Sequence, residues 1–364
     1  MENYSNIYDL SYEELSQKIN SWNEPDYRVN QIWQGIYKSL WSSPVDFSIL
    51  PKSLRQKISD IYAINDTIIE NKLSFSRLNA IKTQRSADGE TIKTLFTLWD
   101  GKQVEAVHMQ YKNRHTLCIS SQSGCAMGCV FCATGQMGFH RHLSSGEMIE
   151  QVLYYARQLS IEHMQLTNIV LMGMGEPFHN YDATLSAIKR LNNPQGFNLG
   201  ARRFTISTVG LLPEIRRFTK EQSQINLAIS LHAADDTLRS QLLPINRKYP
   251  LDELFSACLE YIQKTHRRLS FEWALIEGVN DTPEQADLLI QRLKALRIGG
   301  SNLCHVNVIP LNPTDKYIGH ATTRKNALAF QEKLTQAGLP CTIRLRRGIE
   351  IQAGCGQLAI KYQL

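Results

Sequence analysis

The sequence predicts an α/β fold: a helical leader, a short antiparallel ribbon, then six strand–helix units. Three observations predict it. From residue 115 onward, apolar and β-branched runs alternate with helical stretches. Upstream, two Asp-Gly pairs flank one alternating run. Before that, apolar residues recur at helical spacing.

Residues 1–70 read as a helical accessory domain. Leu10, Leu15 and Ile19 fall at helical spacing, as do Ile32, Ile36 and Leu40. Arg28, Lys38, Lys52, Arg55 and Lys57 stud this region, as a solvated helical face or as an RNA-contacting one. Residues 71–113 read as the ribbon. Asp88-Gly89 and Asp100-Gly101 supply the positive φ angles that tight hairpin turns need. Glu105 lies on the strand after the second turn.

Residues 114–364 carry the repeating units. Strands are expected at 116–120, 168–174, 203–208, 225–231, 269–276 and 304–310. Helices follow at 145–158, 182–191, 212–219, 235–264 (broken near Pro250), 283–297 and 323–337, with a last strand at 341–346. Ser144 with Glu147, and Thr282 with Gln285, read as capping boxes, the second with Pro283 at the first helical position. Such units give parallel strands and right-handed crossovers. Six units fall short of the eight that close a full barrel. An open partial barrel and a doubly wound sheet both remain. In either, functional groups collect at the C-terminal ends of strands. Gly175-Glu176-Pro177, Ser207, His232 and Asn312 fall there.

At 364 residues the chain buries an ample core without disulfide staples. Its eight cysteines are too few for a disulfide scaffold. The start, Met1-Glu2-Asn3-Tyr4, lacks a signal-peptide pattern. No run approaches ~18 apolar residues, so no membrane span is expected. The setting that fits is a reducing cytoplasm. A net charge of +6 biases the chain mildly toward polyanions.

The cysteine spacing is more specific. Cys118, Cys125, Cys129 and Cys132 are clustered, and Cys355 lies near the far end. The inner three read Cys-x3-Cys-x2-Cys after the first strand of the series. Zinc is one alternative, with His140 or Cys118 as fourth ligand, although structural zinc usually uses two separated Cys-x2-Cys knuckles. Ordinary iron–sulfur sites use four cysteines. Three thiolates leave one iron open to a small ligand.

Cys-x3-Cys-x-Phe-Cys at this place resembles the radical S-adenosylmethionine (SAM) superfamily, which implies a partial (β/α)6 barrel, a 4Fe-4S cluster on Cys125, Cys129 and Cys132, and SAM on the open iron. The likeness is closer still. Leu117–Cys125, Phe131-Cys132-Ala133-Thr134-Gly135, Met172–Pro177, Ile229-Ser230-Leu231-His232-Ala233 and Ala353–Leu358 resemble the RlmN family over nearly the whole chain. That resemblance implies methylation of adenine carbon 2 in 23S ribosomal RNA and in transfer RNA.

An adenine ring carbon between two nitrogens is electron-poor and does not attack a sulfonium methyl as a thiolate does. The family chemistry implies that Cys355 takes a methyl group from one SAM. A second SAM, so two per turnover, yields the radical that activates it. The activated carbon adds to adenine, Glu105 removes the ring proton, and Cys118 attacks Cys355 sulfur to release the product. An external electron donor and a thiol reductant are then needed, and a monomer is expected. Gly175, Glu176, Ser207, Ser230, Leu231, His232 and Asn312 are implied at the cofactor.

Singly, Cys118 and Cys355 read as small core residues, Glu105 as a solvent-facing strand residue and His232 as a core histidine. Joint placement in matching motifs overturns that. Cys258, Cys304 and Cys341 match no motif and read as core. Arg202-Arg203 and Arg344-Leu345-Arg346-Arg347 are the sharpest basic groups for phosphate. An adenine in folded RNA must flip out to reach a buried site. Thr314-Asp315-Lys316-Tyr317 departs from the family's Pro-Gly-rich loop, and the chain stops at Leu364, where many members run longer. The nearest rival is methylation at carbon 8, in whose enzymes Gly-Glu-Ala tends to replace Gly175-Glu176-Pro177. Rivals of other classes are a non-enzymatic metal-bound RNA-binding module and a radical enzyme acting on peptides.

Overall fold

The computed structural model describes residues 6–66 and 72–359. The expectations on Met1–Tyr4 and on the end at Leu364 lie outside them. Three helices lead: α1 (Tyr12–Ser21), α2 (Tyr27–Tyr37) and α3 (Lys52–Tyr62). A reciprocal Ser11–Glu14 capping box starts α1. Leu15 and Ile19, then Val29, Ile32, Trp33 and Ile36, then Leu54 and Ile58 form the buried stripes. Leu10 and Leu40 fall outside these helices; Leu40 has φ 59°, so the backbone has already left the helix.

β1 (Ile64–Asp66) and β2 (Lys72–Ser74) form a small antiparallel pair. β3 (Asn79–Arg85), β4 (Thr91–Thr97) and β5 (Gln103–Tyr111) are the ribbon, turned at Gly89 (φ 74°) and Gly101 (φ 79°). β5 pairs antiparallel with β6 (Arg114–Cys118), Val107 facing Cys118, so ribbon and barrel share one sheet.

β7 (Gln122–Gly124), α4 (Ala133–Met137) and β8 (Phe139–His142) follow. The repeating units are then α5 (Ser145–Ile161), β9 (Asn168–Leu171), α6 (Tyr181–Asn192), β10 (Phe204–Thr208), α7 (Leu212–Glu221) and β11 (Asn226–Ser230). The series ends with α8 (Asp236–Leu242), α9 (Leu251–Thr265), β12 (Leu269–Leu275), α10 (Pro283–Lys294), β13 (Cys304–Pro310), α11 (Arg324–Gln336) and β14 (Cys341–Ile343).

The sheet runs β14-β13-β12-β11-β10-β9-β6-β5-β4-β3, and the pairs from β6 to β14 are all parallel. The order never reverses, and a doubly wound sheet requires a reversal. The sheet is therefore singly wound, which is the order that the partial-barrel alternative requires.

Three local expectations change. The helix expected over 235–264 is interrupted twice, because Pro244 and Pro250 flank a 3-10 turn between α8 and α9. The last strand stops at Ile343. The Ser144–Glu147 capping box is complete, but at Thr282 only half forms. There the Gln285 side chain turns to Asp235 (2.6 Å) and accepts from Ala234 N (3.0 Å).

Period-two alternation explains where the core lies. Ile169, Leu171, Phe204, Ile206, Leu227, Ile229, Phe271, Trp273, Val306 and Val308 are buried in the apolar core. Their alternates, among them Met172, Thr205, Ser207, Ser230, Glu272, Asn307 and Ile309, line cavities. Among the described residues, no helix is long and apolar enough to cross a membrane.

Candidate active site

The chain leaves β6 at Cys118 through a tightly fixed segment. Ser120 Oγ donates to Glu105 O (2.6 Å) and accepts from Met174 N (2.9 Å), joining the ribbon to the loops after β6 and β9. Cys125, Cys129 and Cys132 follow on the loop between β7 and α4. The segment bearing Cys355 is fastened to this loop. Ala133 N donates to Gly356 O (2.7 Å), and Thr134 Oγ1 to Leu358 O (2.6 Å).

These three cysteines line an upper chamber of about 170 Å³ with Gly175, Glu176, Ser207, Ser230, His232, Asn312 and Cys355. Glu176 accepts from Phe178 N (3.0 Å) and Val209 N (2.9 Å), yet burial pushes its carboxyl up to about 7. Ser207 and Ser230 share a hydrogen bond of 3.1 Å between adjacent strands. Ala274 N donates to His232 Nδ1 (2.9 Å), which leaves the ring proton on Nε2. Burial lowers His232 to about 3, so its ring is neutral. Leu231 does not line the chamber. Its side chain is fully buried in the apolar core, and its carbonyl accepts from Arg239 (3.1 Å).

The residues fit the expected cofactors on two grounds. Burial first, then neighbouring charges, push Cys125 up to about 12 and Cys129 well above the usual thiol range. Thiolates here therefore require a cationic centre, which a cluster supplies. Asn312 Nδ2 donates to Cys355 O (3.0 Å), while its buried Oδ1 has no hydrogen-bond partner among the described residues and is available to a ligand. Among the described residues, no three His, Cys, Asp or Glu side chains group as ligands of a single metal ion.

A lower chamber of about 400 Å³ lies behind Cys355. Val107, Tyr111, Arg114, Thr116, Cys118, Asn168, Asn307, Arg344, Arg347 and Cys355 line it. Cys355, Asn312, Met172, Ile309 and Arg344 line both chambers, so Cys355 stands in the shared wall. Burial pushes Cys118 up to about 12; Cys355 is exposed on the chamber surface, with the Arg344 guanidinium favouring its thiolate. All eight cysteines are free; Cys258 and Cys304 are buried and Cys341 half-buried.

Glu105 is on the same face of β5 as Val107, two residues along, and is 1% exposed. It forms a buried ion pair with Lys93 (2.9 Å), whose Nζ also donates to Gln352 O (3.3 Å) in the segment before Cys355. Sequence reasoning missed Lys93, Glu272 and Arg239. Lys93 gave no local signal, since β4 is buried along most of its length and its burial does not alternate. Arg239, fully buried, bonds Asn246 Oδ1 (2.8 Å) and Val209 O (2.7 Å) and faces Cys129.

Comparisons agree with this arrangement. The family model described as "Radical SAM superfamily" matches residues 119–290. A protein of Chloroflexus aurantiacus named "Probable dual-specificity RNA methyltransferase RlmN" is 45% identical, over 98% of this chain and 93% of its own. "Dual-specificity RNA methyltransferase RlmN 1" of Myxococcus xanthus is 43% identical, over 97% and 94%. The crystal structure of a radical SAM methyltransferase from Sphaerobacter thermophilus is 43% identical with a TM-score of 0.89, over 97% of this chain and 98% of that one. With one sheet order, one cysteine loop and full-length similarity in agreement, the chain belongs to the RlmN family of radical SAM enzymes.

Proposed function

We propose that this enzyme methylates carbon 2 of adenine in 23S ribosomal RNA and in transfer RNA, with Cys355 as the methyl carrier. One observation carries the reading: Cys355 opens on both chambers, one lined by the cysteine triad and the other by Cys118. The names of the relatives support an RNA substrate.

Cys125, Cys129 and Cys132 hold the cluster, and Glu176, Ser207, Ser230, His232 and Asn312 hold SAM, with Gly175 giving the close backbone approach. Together these cofactors supply a methyl group and a 5′-deoxyadenosyl radical, two SAM being used per turnover. Asn312, bonded to the Cys355 carbonyl, fixes the carrier in the shared wall. Once the carrier carbon is joined to adenine, Glu105 takes the ring proton; the ion pair with Lys93 holds its carboxylate in place. Cys118 then attacks Cys355 Sγ. The S–S bond forms as the S–C bond breaks, and the released carbon takes a proton to become the methyl group. A thiol reductant resets the pair; an external redox partner supplies the electron that starts the radical and accepts the one that the adenine adduct gives up with its ring proton.

Residues 1–70 serve as an RNA-contacting accessory domain, 71–113 as the ribbon that delivers Glu105, and 114–364 as the barrel. The exposure of Lys38, Lys52 and Lys57 supports the first assignment. The enzyme works as a cytoplasmic monomer.

The test is a Cys118→Ala variant given RNA and SAM. Resolution fails, and a covalent RNA adduct accumulates on Cys355, read by denaturing gel and peptide mass spectrometry. Wild-type enzyme yields 2-methyladenosine by chromatography of digested RNA. Exclusive 8-methyladenosine, or a Cys355 that carries only methyl, overturns the reading.

A further inference from the structure

The lower chamber reaches the end of β5 and β6 away from the cysteine loop. Tyr111 (the last residue of β5) and Arg114 (the first of β6) line it there, and Arg347, beyond β14, crosses to the Tyr111 ring to complete this rim with Leu345. The guanidinium carbons of Arg114 and Arg347 lie 4.3 and 4.5 Å from the centroid of the one Tyr111 ring. Arg114 is exposed, and Leu345 is 78% exposed beside it. Arg347 pairs with Glu90 and donates to Gln110 O (3.2 Å), while its buried Nε has no hydrogen-bond partner among the described residues. Arg344 lies in the same wall, 3.8 Å from Glu272.

The charges decide what this rim admits. Three guanidiniums, Arg114, Arg344 and Arg347, line the chamber and, among the described residues, no carboxylate does; Glu90 and Asp88 lie near Arg347 and Glu272 near Arg344, outside that lining. Two like charges on one ring repel each other, and the ring's quadrupole offsets part of that. The fork of a guanidinium matches phosphate oxygens better than an ammonium does. A base inserted through this mouth toward Cys118 and Cys355 brings its flanking phosphates to the rim.

We propose that Arg114 and Arg347, held at fixed spacing by Tyr111, bind the backbone phosphates on either side of the inserted adenine. Tyr111 is the positioning residue. The inference rests on the RNA reading above and adds the direction of approach: RNA comes from the end of the barrel away from the cluster loop.

The probe is an RNA stem–loop with one unpaired adenine, bound to full-length, cluster-loaded enzyme and followed by fluorescence anisotropy across NaCl concentrations. Arg114→Ala weakens binding about 5- to 10-fold and lowers the slope of log Kd against log salt by about 0.7–0.9, the loss of one phosphate contact. Arg114→Lys keeps the slope but recovers only part of the affinity. Tyr111→Leu, which keeps both charges, raises KM for RNA and leaves kcat. Glu90→Gln releases Arg347 and tightens binding. Melting temperatures confirm that the variants are folded. Wild-type Kd and slope in folded Arg114→Ala, or weaker binding in Glu90→Gln, overturns the proposal. If wild-type enzyme leaves the same RNA unmethylated, the functional reading itself fails; if only the Arg114 result fails, the clamp alone is wrong.

Discussion

The two chambers are built in different ways. The upper one takes its groups from short segments at successive strand ends, held to the adjacent segment by backbone hydrogen bonds such as Gly173 N to Ile119 O and Leu231 N to Glu272 O. The lower one is assembled from segments far apart in sequence: Lys93 and Glu105 beside it on the ribbon, Cys118 at the end of β6, and Arg344 to Cys355 after the last strand. The first is a property of the repeating unit, whereas the second depends on how ribbon and C-terminal segment dock. Damage to the upper chamber should remove chemistry outright. Damage to the lower one should leave chemistry started and not finished.

Cysteine substitutions give the largest effect and the sharpest contrast. Cys129→Ser should abolish the visible absorbance of the cluster and all RNA modification, adduct included. Cys118→Ala should keep the absorbance and accumulate adduct. Adduct formation by Cys129→Ser would merge the two chambers into one functional unit and break the distinction.

Next is the ion pair. Glu105→Gln should slow product formation by about 10²- to 10⁴-fold, the usual worth of a positioned base, with methyl still loaded on Cys355. Lys93→Met leaves the buried carboxylate without that cation and should lower stability by about 3–5 kcal/mol. Product assays, Cys355 peptide mass and urea melts separate the outcomes. A Lys93→Met enzyme of wild-type rate and stability would show that the pair is dispensable.

This contrast also explains what could be read in advance. The upper chamber was legible because its residues sit in local motifs; Cys125-x3-Cys129-x2-Cys132 and Gly175-Glu176-Pro177 need no partner elsewhere to be noticed. The strand–helix series was legible from period, while its local ends were less so: the second break at Pro244, the early stop at Ile343 and the half-formed box at Thr282. Lys93 and Arg239 were not legible. A charge becomes inward-facing only when register is fixed, and the register of Lys93 is set by β5, whose own partner is β6. Leu231 shows the reverse case: within a recognised motif, alternation turns every second side chain away from the chamber.

A smaller effect is expected at Gly175. Its φ is 102°, and a Cβ there would lie 2.6 Å from Gln122 Cβ. Gln122 Oε1 in turn accepts from Glu176 N (2.8 Å). Gly175→Ala should cost about 1–3 kcal/mol through strain and displacement. SAM affinity should fall about tenfold by calorimetry, a factor worth about 1.4 kcal/mol. Affinity for the stem–loop RNA should stay unchanged, since Gly175 faces only the upper chamber. Equal losses for both ligands would argue that the chambers are coupled through Gln122.

A comparable effect, spread over a pH range, lies at the joint that holds the ribbon in place. Glu150 on α5 accepts from Asn6 Nδ2 (2.8 Å), Ser76 Oγ (2.7 Å), Arg77 N (2.6 Å) and Leu78 N (3.1 Å). Burial pushes its carboxyl up to about 7 from 4.5, and these bonds oppose that shift. With the folded value above the unfolded one, the stabilising contribution is fully present below pH 4.5 and is lost as pH rises through 7. At about 1.4 kcal/mol per unit, the span is worth about 3 kcal/mol at most. His108 and His232, lowered by burial to about 4 and about 3, act in the opposite sense: their contribution is lost as pH falls below 6.5. Subtracting the stability–pH profile of Glu150→Gln from that of wild type cancels the histidines and isolates the carboxyl. The difference should fall with rising pH across this window. A flat difference would mean that Glu150 is ionised throughout, with four donors outweighing the loss of water, and that the joint is held by charge-assisted hydrogen bonds.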